Sequence, residues 1–461
     1  MMIAELAVLT AVPTVGQLVL ARAPTFEYDG SKWMARVNAI EGTPLSIQCP
    51  DTQVGADLSW RHNDTPVVDS IGQSLLHRPA LVRADAGEWR CVAHNAAGTV
   101  LGRPTIVTVL WLDDFIGDDD TGEEGDRYHV SSTVGSPVVL NRPPLLGSTP
   151  EEKLRPVYLW YCNDALVQAN STHYLTARGD LIILQTSLSS SRHSSNGDEE
   201  RCEVTAAVDA IGEIRSRSYY IGHTLKSDTP ERAPFRILYG PIDQEIIIHD
   251  EADQSMDDYP LQWDCVPSMA DGRVRWFLDG RPLTEADEGV TIEKSGRRLV
   301  MAAAASRNIL TESPSSSSRR SLSKGRQSIV HSLECKADAG AGRLLDSKSA
   351  KIRVIRAPHL IPLPTPIYRM PGGHLELSCT DARGATPQKN FRWTYNGDVI
   401  ARSSRLSIEV KTSSYGVYQC EARNAAGVHS ISVWLQEGIH LPLLNDGSTG
   451  EQDDTVVAEQ T

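Results

Sequence analysis

The stretch YGVYQCEARNAAG, residues 415–427, carries the pattern that decides the fold. Tyr418 stands two residues before Cys420, which is the spacing of a tyrosine corner beside the second cysteine of a β-sandwich. The closing NAAG, between two β-rich runs, is typical of a hairpin. Residues 85–98, DAGEWRCVAHNAAG, repeat this arrangement with Trp89 in the place of the tyrosine. The chain therefore contains an internal repeat.

Eight cysteines fall into four couples along the 461-residue chain, and they define the repeat. In three couples a tryptophan follows the first cysteine, as Trp60 follows Cys49. A β-sandwich needs this order because the disulfide joins two facing sheets and the tryptophan packs against it. The sequence predicts an all-β chain of four tandem immunoglobulin-like β-sandwich domains. The predicted bridges and core tryptophans are Cys49–Cys91, Cys265–Cys335, Cys379–Cys420, Trp60, Trp160, Trp276 and Trp393.

The second repeat departs from this pattern. Arg142 stands where the first cysteine is expected, and Cys162 follows Trp160 by two residues. On a strand, residues two apart point to the same face. A bridge from Cys162 to Cys202 within one sheet is one interpretation, because opposed residues of neighbouring strands have Cα atoms about 4.5–5.5 Å apart. Two buried free thiols are the alternative.

Shifts in composition divide the chain into domains and connecting segments. Asp113–Asp126 holds eight carboxylates; we interpret it as a solvated acidic linker, and a calcium-binding hinge is the alternative. Gly222–Gly240 is expected to be extended and flexible. The serine-rich residues 306–328 are expected to form a disordered loop, because so polar a stretch cannot bury a core. The predicted domains are residues 24–112, 127–224, 233–356 and 357–436, followed by an acidic disordered tail, residues 437–461.

Charge and motif content argue against several function classes. Asp and Glu number 59 and Lys and Arg 45, so the formal charge of −14 would repel a polyanion, and nucleic acid is not an expected partner. The sequence has no Cys-x-x-Cys pair, His-x-x-His cluster, glycine-rich phosphate loop or nucleophile elbow. We therefore expect no enzyme, no metal and no cofactor.

The N-terminal residues and the apolar runs bear on location. Met1–Ala23 is mostly apolar and ends in Ala-Arg-Ala, which resembles a signal-peptide cleavage site. The alternative is that the true start of the gene product lies elsewhere. No apolar run reaches the roughly 18–20 residues that are needed to cross a bilayer.

Three short motifs have both a structural and a functional interpretation. Asn63 and Asn170 each begin an Asn-x-Thr acceptor for glycosylation, which has meaning only in a secreted chain. Arg178-Gly179-Asp180 is the tripeptide that some integrins recognise. It also precedes an apolar run, so a turn that enters a strand explains its glycine and aspartate equally well.

The order and details of the repeats resemble the first four immunoglobulin domains of the neuroglian and contactin group of neural cell-adhesion molecules. The matching stretches are QCEARN at residues 419–424, WRC at 89–91 and RAP at 232–234. Residues 138–144, VVLNRPP, look like the group's Val-Val-Leu-Pro-Cys-Asn-Pro-Pro stretch with the cysteine lost. Secreted insect hemolin has the same four-domain arrangement. The resemblance covers about residues 24–436.

In that group the four domains fold back as a horseshoe, the first against the fourth and the second against the third. The resemblance implies cell adhesion and axon guidance, through homophilic binding or binding to related immunoglobulin-superfamily surface proteins. A secreted, hemolin-like immune recognition protein and an intracellular muscle protein of immunoglobulin repeats are the alternatives. Cysteine couples and glycosylation acceptors together indicate an extracellular location, at the plasma membrane as part of a longer receptor or secreted otherwise.

Overall fold

The computed structural model describes residues 22–28, 36–53, 55–116, 127–148, 153–186, 199–216, 218–224, 234–248, 260–302, 309–310, 329–339, 346–382 and 390–438. Several predicted features therefore lie outside the described residues. These are most of the signal-like segment, the calcium-hinge motif at 118–122, most of the serine-rich stretch and the tail from residue 439.

Domain 1 is a sandwich whose larger sheet has the order β2-β10-β8-β5-β6, with β9 beside β8. The pairs β3-β7 and β1-β4 face it, and β2 runs parallel to β10. Its strands are β1 (Phe26–Glu27), β2 (Arg36–Ile40), β3 (Leu45–Gln48), β4 (Asp51–Thr52), β5 (Asp57–His62), β6 (Thr65–Pro66), β7 (Leu75–Arg78), β8 (Gly87–Asn95), β9 (Gly98–Leu101) and β10 (Thr105–Leu110). Two 3-10 turns, Val68–Ser70 and Arg83–Asp85, connect them.

Domain 2 repeats the plan with a larger sheet β12-β21-β19-β15-β16, to which β20 is added beside β19. The sheet β13-β18-β17 and the pair β11-β14 complete it. Its strands are β11 (Leu112–Phe115), β12 (Arg127–Thr133), β13 (Val138–Leu140), β14 (Leu145–Gly147), β15 (Val157–Cys162), β16 (Ala165–Leu166), β17 (His173–Leu175), β18 (Leu181–Ile183), β19 (Glu199–Val208), β20 (Gly212–Arg215) and β21 (Ser218–Thr224).

Domain 3 has the sheets β23-β31-β30-β26-β27 and β24-β29-β28, and the pair β22-β25. Its strands are β22 (Ile237–Tyr239), β23 (Gln244–Ile248), β24 (Leu261–Asp264), β25 (Val266–Pro267), β26 (Arg273–Leu278), β27 (Arg281–Leu283), β28 (Val290–Glu293), β29 (Arg298–Met301), β30 (Ile329–Asp338) and β31 (Asp346–Arg356).

Domain 4 has the sheet β32-β38-β37-β34-β35 and the pair β33-β36. Its strands are β32 (Ile367–Arg369), β33 (His374–Ser378), β34 (Asn390–Tyr395), β35 (Asp398–Ala401), β36 (Arg405–Glu409), β37 (Gly416–Asn424) and β38 (Gly427–Glu437). The 3-10 turn Thr412–Ser414 precedes β37. The chain is thus an all-β row of four immunoglobulin-like sandwiches, as the sequence predicts. Within the described ranges, no helix has the length and apolar character to cross a lipid bilayer.

A tryptophan lies at the centre of each apolar core. The exposed fractions are 2% for Trp60, 0% for Trp160, 1% for Trp276 and 0% for Trp393. In domains 1, 3 and 4 the residue directly opposite this tryptophan on the neighbouring strand is the second cysteine. In domain 2 it is the fully buried Val204.

All eight cysteines are bonded within their own domains. The pairs are Cys49–Cys91, Cys162–Cys202, Cys265–Cys335 and Cys379–Cys420. The domain 2 bridge joins directly opposed residues of β15 and β19, and both cysteines lie two positions away from the Trp160–Val204 pair. Arg142, two residues after β13, stands where the first cysteine is found in the other domains. Its guanidinium carbon lies 4.4 Å from the centre of the Tyr158 ring.

In domains 1 and 4 the aromatic residue two positions before the second cysteine makes the same type of hydrogen bond. Its side chain donates to the backbone carbonyl four residues earlier. The Tyr418 hydroxyl donates to the carbonyl of Ser414 at 2.8 Å. Trp89, which replaces this tyrosine in domain 1, donates its indole N–H to the carbonyl of Asp85 at 2.9 Å. The tryptophan therefore keeps the hydrogen bond of a tyrosine corner while it fills more of the core.

Three predicted segment boundaries are wrong. Leu112–Phe115 is strand β11 and pairs with β14, so the acidic linker does not begin at Asp113. The predicted flexible Gly222–Gly240 begins within β21 and contains β22, whose Ile237 is buried in the core of domain 3. Leu310, within the predicted disordered loop, is 0% exposed and packs into the core of domain 3.

Candidate functional site: the contacts between paired domains

Domains 1 and 4 meet through their larger sheets, on the faces that point away from each domain's own apolar core. The Leu101 N–H donates to Oε1 of Gln419 at 2.7 Å, and Nε2 of Gln419 donates to the Leu101 carbonyl at 3.0 Å. The Gln419 amide thus satisfies both backbone groups of a strand residue in the other domain, as a neighbouring strand would. Gln419 is 6% exposed, so water does not compete for these bonds.

A group of charges adjoins this glutamine, and we call it the ionic cluster; Glu88, Arg90 and Glu421 are buried at its centre, and its edge is partly exposed. It balances three carboxylates against three guanidinium groups, half of them from each domain. Its members are Asp64, Glu88, Arg90, Arg392, Glu421 and Arg423.

Arg90 lies at the centre of the ionic cluster and is 1% exposed. Its guanidinium pairs with Glu88 of its own domain and lies 2.7 Å from the Glu421 carboxylate of domain 4. The Arg90–Glu421 contact is an ion pair, since its N–H direction is not that of a hydrogen bond. Arg90 also donates to the Gly102 carbonyl at 3.1 Å. Burial makes this arrangement costly unless both domains supply their charges, because a lone buried ion is strongly unfavourable.

Two arginines of domain 4 complete the ionic cluster from the other side. Arg392 lies 2.7 Å from the Asp64 carboxylate and 3.2 Å from Glu421. Arg423 pairs with Glu88 and lies 3.3 Å from Glu421. Each carboxylate near the centre therefore contacts arginines of both domains.

The electrostatics of the cluster favour its charged form. Burial raises the pKa of Glu88, but the charges of Arg90 and Arg423 outweigh it and hold this pKa below its ordinary value. Burial also raises the pKa of Asp64, and the hydrogen bond and charge of Arg392 outweigh it in the same way. Both carboxylates are consequently ionised at neutral pH.

The NAAG hairpins contribute to the contact and to the domain entrances. In both hairpins the asparagine side-chain oxygen accepts the N–H two residues later, and its nitrogen donates to the chain that enters the domain. Gly98 has φ +145°, and a Cβ placed on it would lie 2.5 Å from Oδ1 of Asn396 in domain 4. The domains can approach this closely only because Gly98 has no side chain. At the rim, Arg36 donates to the Ala426 carbonyl at 2.8 Å and Arg61 to the Gly397 carbonyl at 2.8 Å.

Asp264 is the centre of the contact between domains 2 and 3, and it is 4% exposed. It accepts hydrogen bonds from the Tyr174 hydroxyl at 2.6 Å and from the Ala177 N–H, both in domain 2. Arg298 pairs with Asp264 at 2.8 Å and also donates to the Leu175 carbonyl at 2.9 Å. An apolar cluster adjoins these bonds: Val139, Tyr174, Ile182, Leu184, Leu238, Tyr239 and Val266.

Domains 1 and 2 follow each other without slack. β10 ends at Leu110 and β11 begins at Leu112, so Trp111 is the single residue between them. The Arg83 guanidinium lies 3.8 Å from the centre of the Trp111 ring and 2.7 Å from Asp113. Domain 1 therefore contacts the first strand of domain 2 directly, through the ion pair of Arg83 with Asp113.

The structure places the two glycosylation acceptors on exposed turns. Asn63 accepts the Glu88 N–H with Oδ1 at 2.9 Å. Asn170 caps its own turn, and its Oδ1 accepts the N–H groups of Thr172 and His173. A glycan attaches through the side-chain nitrogen, which in Asn63 also contacts Nε2 of His62 at 3.2 Å. Glycosylation at both sites stays a prediction.

The integrin interpretation of Arg178-Gly179-Asp180 is not supported by the fold. Asp180 is 8% exposed, and its carboxylate accepts the Arg142 N–H at 3.1 Å. A Cβ on Gly179 would collide with the Tyr158 ring. Arg178 is exposed, but Gly179 and Asp180 are buried in a turn, so the aspartate is not presented to a partner.

One repeated site feature is missed by the sequence analysis. Three residues after each core tryptophan stands an Asn or Asp with positive φ, whose oxygen accepts an N–H of the neighbouring long strand at 2.9–3.1 Å. The four residues are Asn63, Asn163, Asp279 and Asn396. A constant Trp-x-x-Asn/Asp spacing is the signal that could have revealed it. In domain 4, Asn396 also accepts from Thr99 of domain 1 at 3.4 Å.

Known proteins share this sequence pattern and fold. The protein sidekick homolog of Caenorhabditis elegans is 31% identical over 441 residues, which cover 93% of this chain and 17% of that protein. The solved structure of sidekick-1 immunoglobulin domains 1–4 has a TM-score of 0.65 at 19% identity, covering 90% of this chain and 99% of that one. No protein-family model matches the chain. The chain is thus similar to immunoglobulin-domain proteins over nearly its whole length, in sequence and in fold.

The chain is much shorter than the proteins that it matches in sequence. The chain spans about a sixth of the length of the curated sidekick homologs it matches. The insect immune protein hemolin, whose structure is described as a domain arrangement with implications for homophilic adhesion, superposes with a TM-score of 0.50 at 17% identity. That superposition covers 90% of this chain and all of hemolin, and it supports the fold-back of four domains.

Proposed function

We propose that these four domains form one folded-back adhesive unit outside the cell, which binds a second copy of itself or a related immunoglobulin-superfamily surface protein. The buried contact between domains 1 and 4 supports this best. It holds the two ends of the row together, so that the outer faces of four domains present one fixed surface. A fixed surface loses little conformational entropy on binding, which favours recognition.

An extracellular setting fits the covalent chemistry. Four disulfides form and persist in oxidising compartments and are rare in the cytosol, which disfavours the muscle alternative. We also propose that Asn63 and Asn170 carry glycans there. Two functional assignments stay predictions: a role in axon guidance and membership of the neuroglian and contactin group. The predicted domain limits also stay predictions, namely residues 24–112, 127–224, 233–356 and 357–436.

Bead aggregation tests the proposed function. Beads coated with the full chain should aggregate, and the double variant Gln419→Ala/Glu421→Gln should lose aggregation because the contact between domains 1 and 4 opens. Glu376→Gln, on an exposed position of β33, is the matched control and should aggregate like the native chain. Small-angle scattering on the same samples verifies that only the double variant is elongated.

Two results would count against the proposal. An elongated double variant that still aggregates would show that adhesion does not need the closed unit. Native chains that neither aggregate nor bind a related surface protein would remove the adhesive function itself and favour the hemolin-like alternative of soluble immune recognition.

A further inference from the structure

The Cys162–Cys202 disulfide differs from the other three in its position. It joins directly opposed residues of neighbouring strands, with Cα atoms 4.1 Å apart, whereas the other bridges connect facing sheets. All eight cysteines are described, and Cys162 is the one that is partly exposed. Thiol–disulfide exchange requires that a thiolate reach one sulfur, so this bridge is the most open to reduction in the folded chain.

Opening this bridge leaves its surroundings held by other bonds. β15 and β19 are paired over six residue positions, from Val157–Ala207 to the two cysteines. The turn beyond them is fixed on both sides of Arg201, whose carbonyl accepts the Asn163 N–H at 2.7 Å and whose N–H donates to Asn163 Oδ1 at 3.1 Å. The two sulfurs would therefore stay opposed after reduction.

A third donor group lies at the same place. Glu200 precedes Cys202 by two residues on β19, so both side chains lie on the same face of the strand. The ligand atoms of Cys162, Glu200 and Cys202 all lie within 4.8 Å of one another.

We propose that the Cys162–Cys202 bridge is reducible in the folded protein and that the reduced pair, together with Glu200, binds a divalent cation of the zinc class. Two thiolates and a carboxylate are ligands that zinc accepts, with Zn–S distances of about 2.3 Å. The oxidised chain cannot bind in this way, because both sulfurs are used in the bridge. Domain 2 would thus exchange a covalent link for a metal link.

The redox step balances with an external dithiol as the reductant. One thiolate of the dithiol attacks Sγ of Cys162, the partly exposed cysteine, and the Cys162–Cys202 bond breaks. The second thiol of the dithiol then displaces Cys162, and the reductant leaves as a disulfide that has given up two electrons. Cys162 and Cys202 are left as thiols, and their two protons are released to solvent when the cation binds.

Differential alkylation and zinc titration of the full chain test this proposal. After graded reduction with dithiothreitol and removal of the reductant, N-ethylmaleimide should label Cys162 and Cys202 before any other cysteine. A separate, unlabelled sample is used for zinc titration. The reduced chain should then take up one Zn²⁺ against a chromophoric chelator, and the oxidised chain none. Glu200→Gln should weaken zinc binding about tenfold or more, while Glu213→Gln, an exposed carboxylate of β20, should not change it.

Three outcomes would overturn the proposal. They are earlier labelling of another disulfide, no zinc uptake by the reduced chain, and unchanged affinity in Glu200→Gln. The variant Cys162→Ser/Cys202→Ser should bind no zinc while keeping a cooperative melt. If that variant does not fold, native chain that is reduced and then blocked with N-ethylmaleimide replaces it, and zinc uptake by the blocked chain would equally contradict the assignment.

Discussion

Gln419 of domain 4 exchanges two hydrogen bonds with the backbone of Leu101 in domain 1, at 2.7 and 3.0 Å. The two residues are 318 positions apart in the chain. The side-chain amide of Gln419 makes the two hydrogen bonds that the backbone of a neighbouring strand would make, and the bonds join two different domains. This pair joins the ends of the row by direction-dependent bonds, which apolar contact alone would not provide.

Replacing Gln419 by Ala should open the contact between domains 1 and 4. The substitution leaves the Leu101 N–H and carbonyl buried without partners, which costs about 2 kcal/mol or more. Small-angle scattering should show an increased radius of gyration, while the melts of the single domains stay in place. Gln73→Ala, on an exposed turn of domain 1, is the control and should remain compact.

Acid should open the same contact through the ionic cluster. The pKa of Glu88 is lowered from its ordinary 4.5 and that of Asp64 from 3.8. Depressed carboxyl pKa values give stability that is fully present above the ordinary values and is lost as pH falls through the folded ones. The compact shape should therefore persist at pH 6 and be lost below about pH 4.

Scattering curves measured along a pH series check the acid prediction. In Glu88→Gln the contact should be weaker at neutral pH and should depend less on pH, because one titrating group has been removed. An opening midpoint near pH 6 to 7 would instead assign the transition to histidine.

Substituting Asp264 by Ala should loosen the contact between domains 2 and 3. The change leaves the Tyr174 hydroxyl and the Arg298 guanidinium without their shared acceptor, at a cost of about 2–3 kcal/mol. Hydrogen exchange provides a local readout, since the Ala177 N–H donates directly to Asp264. The peptide that contains Ala177 should exchange faster in Asp264→Ala and unchanged in Asp271→Asn. Equal protection in all three chains would mean that the apolar cluster alone holds these domains.

Domain 3 should depend on Leu310 and not on the residues that follow it. Leu310→Ala removes a fully buried side chain, which costs about 2–5 kcal/mol, and His331 donates to the Leu310 carbonyl at 2.9 Å. Deleting Ser313–Ser328 should leave the melting temperature nearly unchanged, because loop-closure entropy varies slowly with length. The reverse ranking in a calorimetric melt would show that the polar stretch, and not Leu310, stabilises the domain.

The sequence predicts what depends on short spacing within one domain. The tryptophans and cysteines are separated by distances that a sandwich fixes, so the four repeats follow from the sequence alone. Leu310 is misjudged because its serine-rich neighbours set the local composition, while one apolar residue suffices to fill a gap in a core. The boundary at Asp113 is misplaced for a related reason, since Asp113 and Asp114 are exposed residues within β11 and resemble the acidic stretch that follows.

The contacts between domains could not be predicted in the same way. Arg90 and Glu421 become neighbours only after four domains have folded and turned back, and no periodicity relates residues that are so far apart. In the sequence Gln419 is one more polar strand residue. Gly98 is the partial exception, because its hairpin motif marks the position, although the turn alone explains a glycine there.

The absence of slack between domains 1 and 2 has an evolutionary consequence. Trp111 fixes the direction in which domain 1 leaves domain 2, and domain 1 must then meet domain 4 at the position that Gly98 and Gln419 require. Deleting or exchanging a single domain would remove at least one of the two pairings. We therefore expect gene rearrangement to preserve this arrangement when it duplicates the four repeats together, and to disrupt it when it adds one repeat at a time.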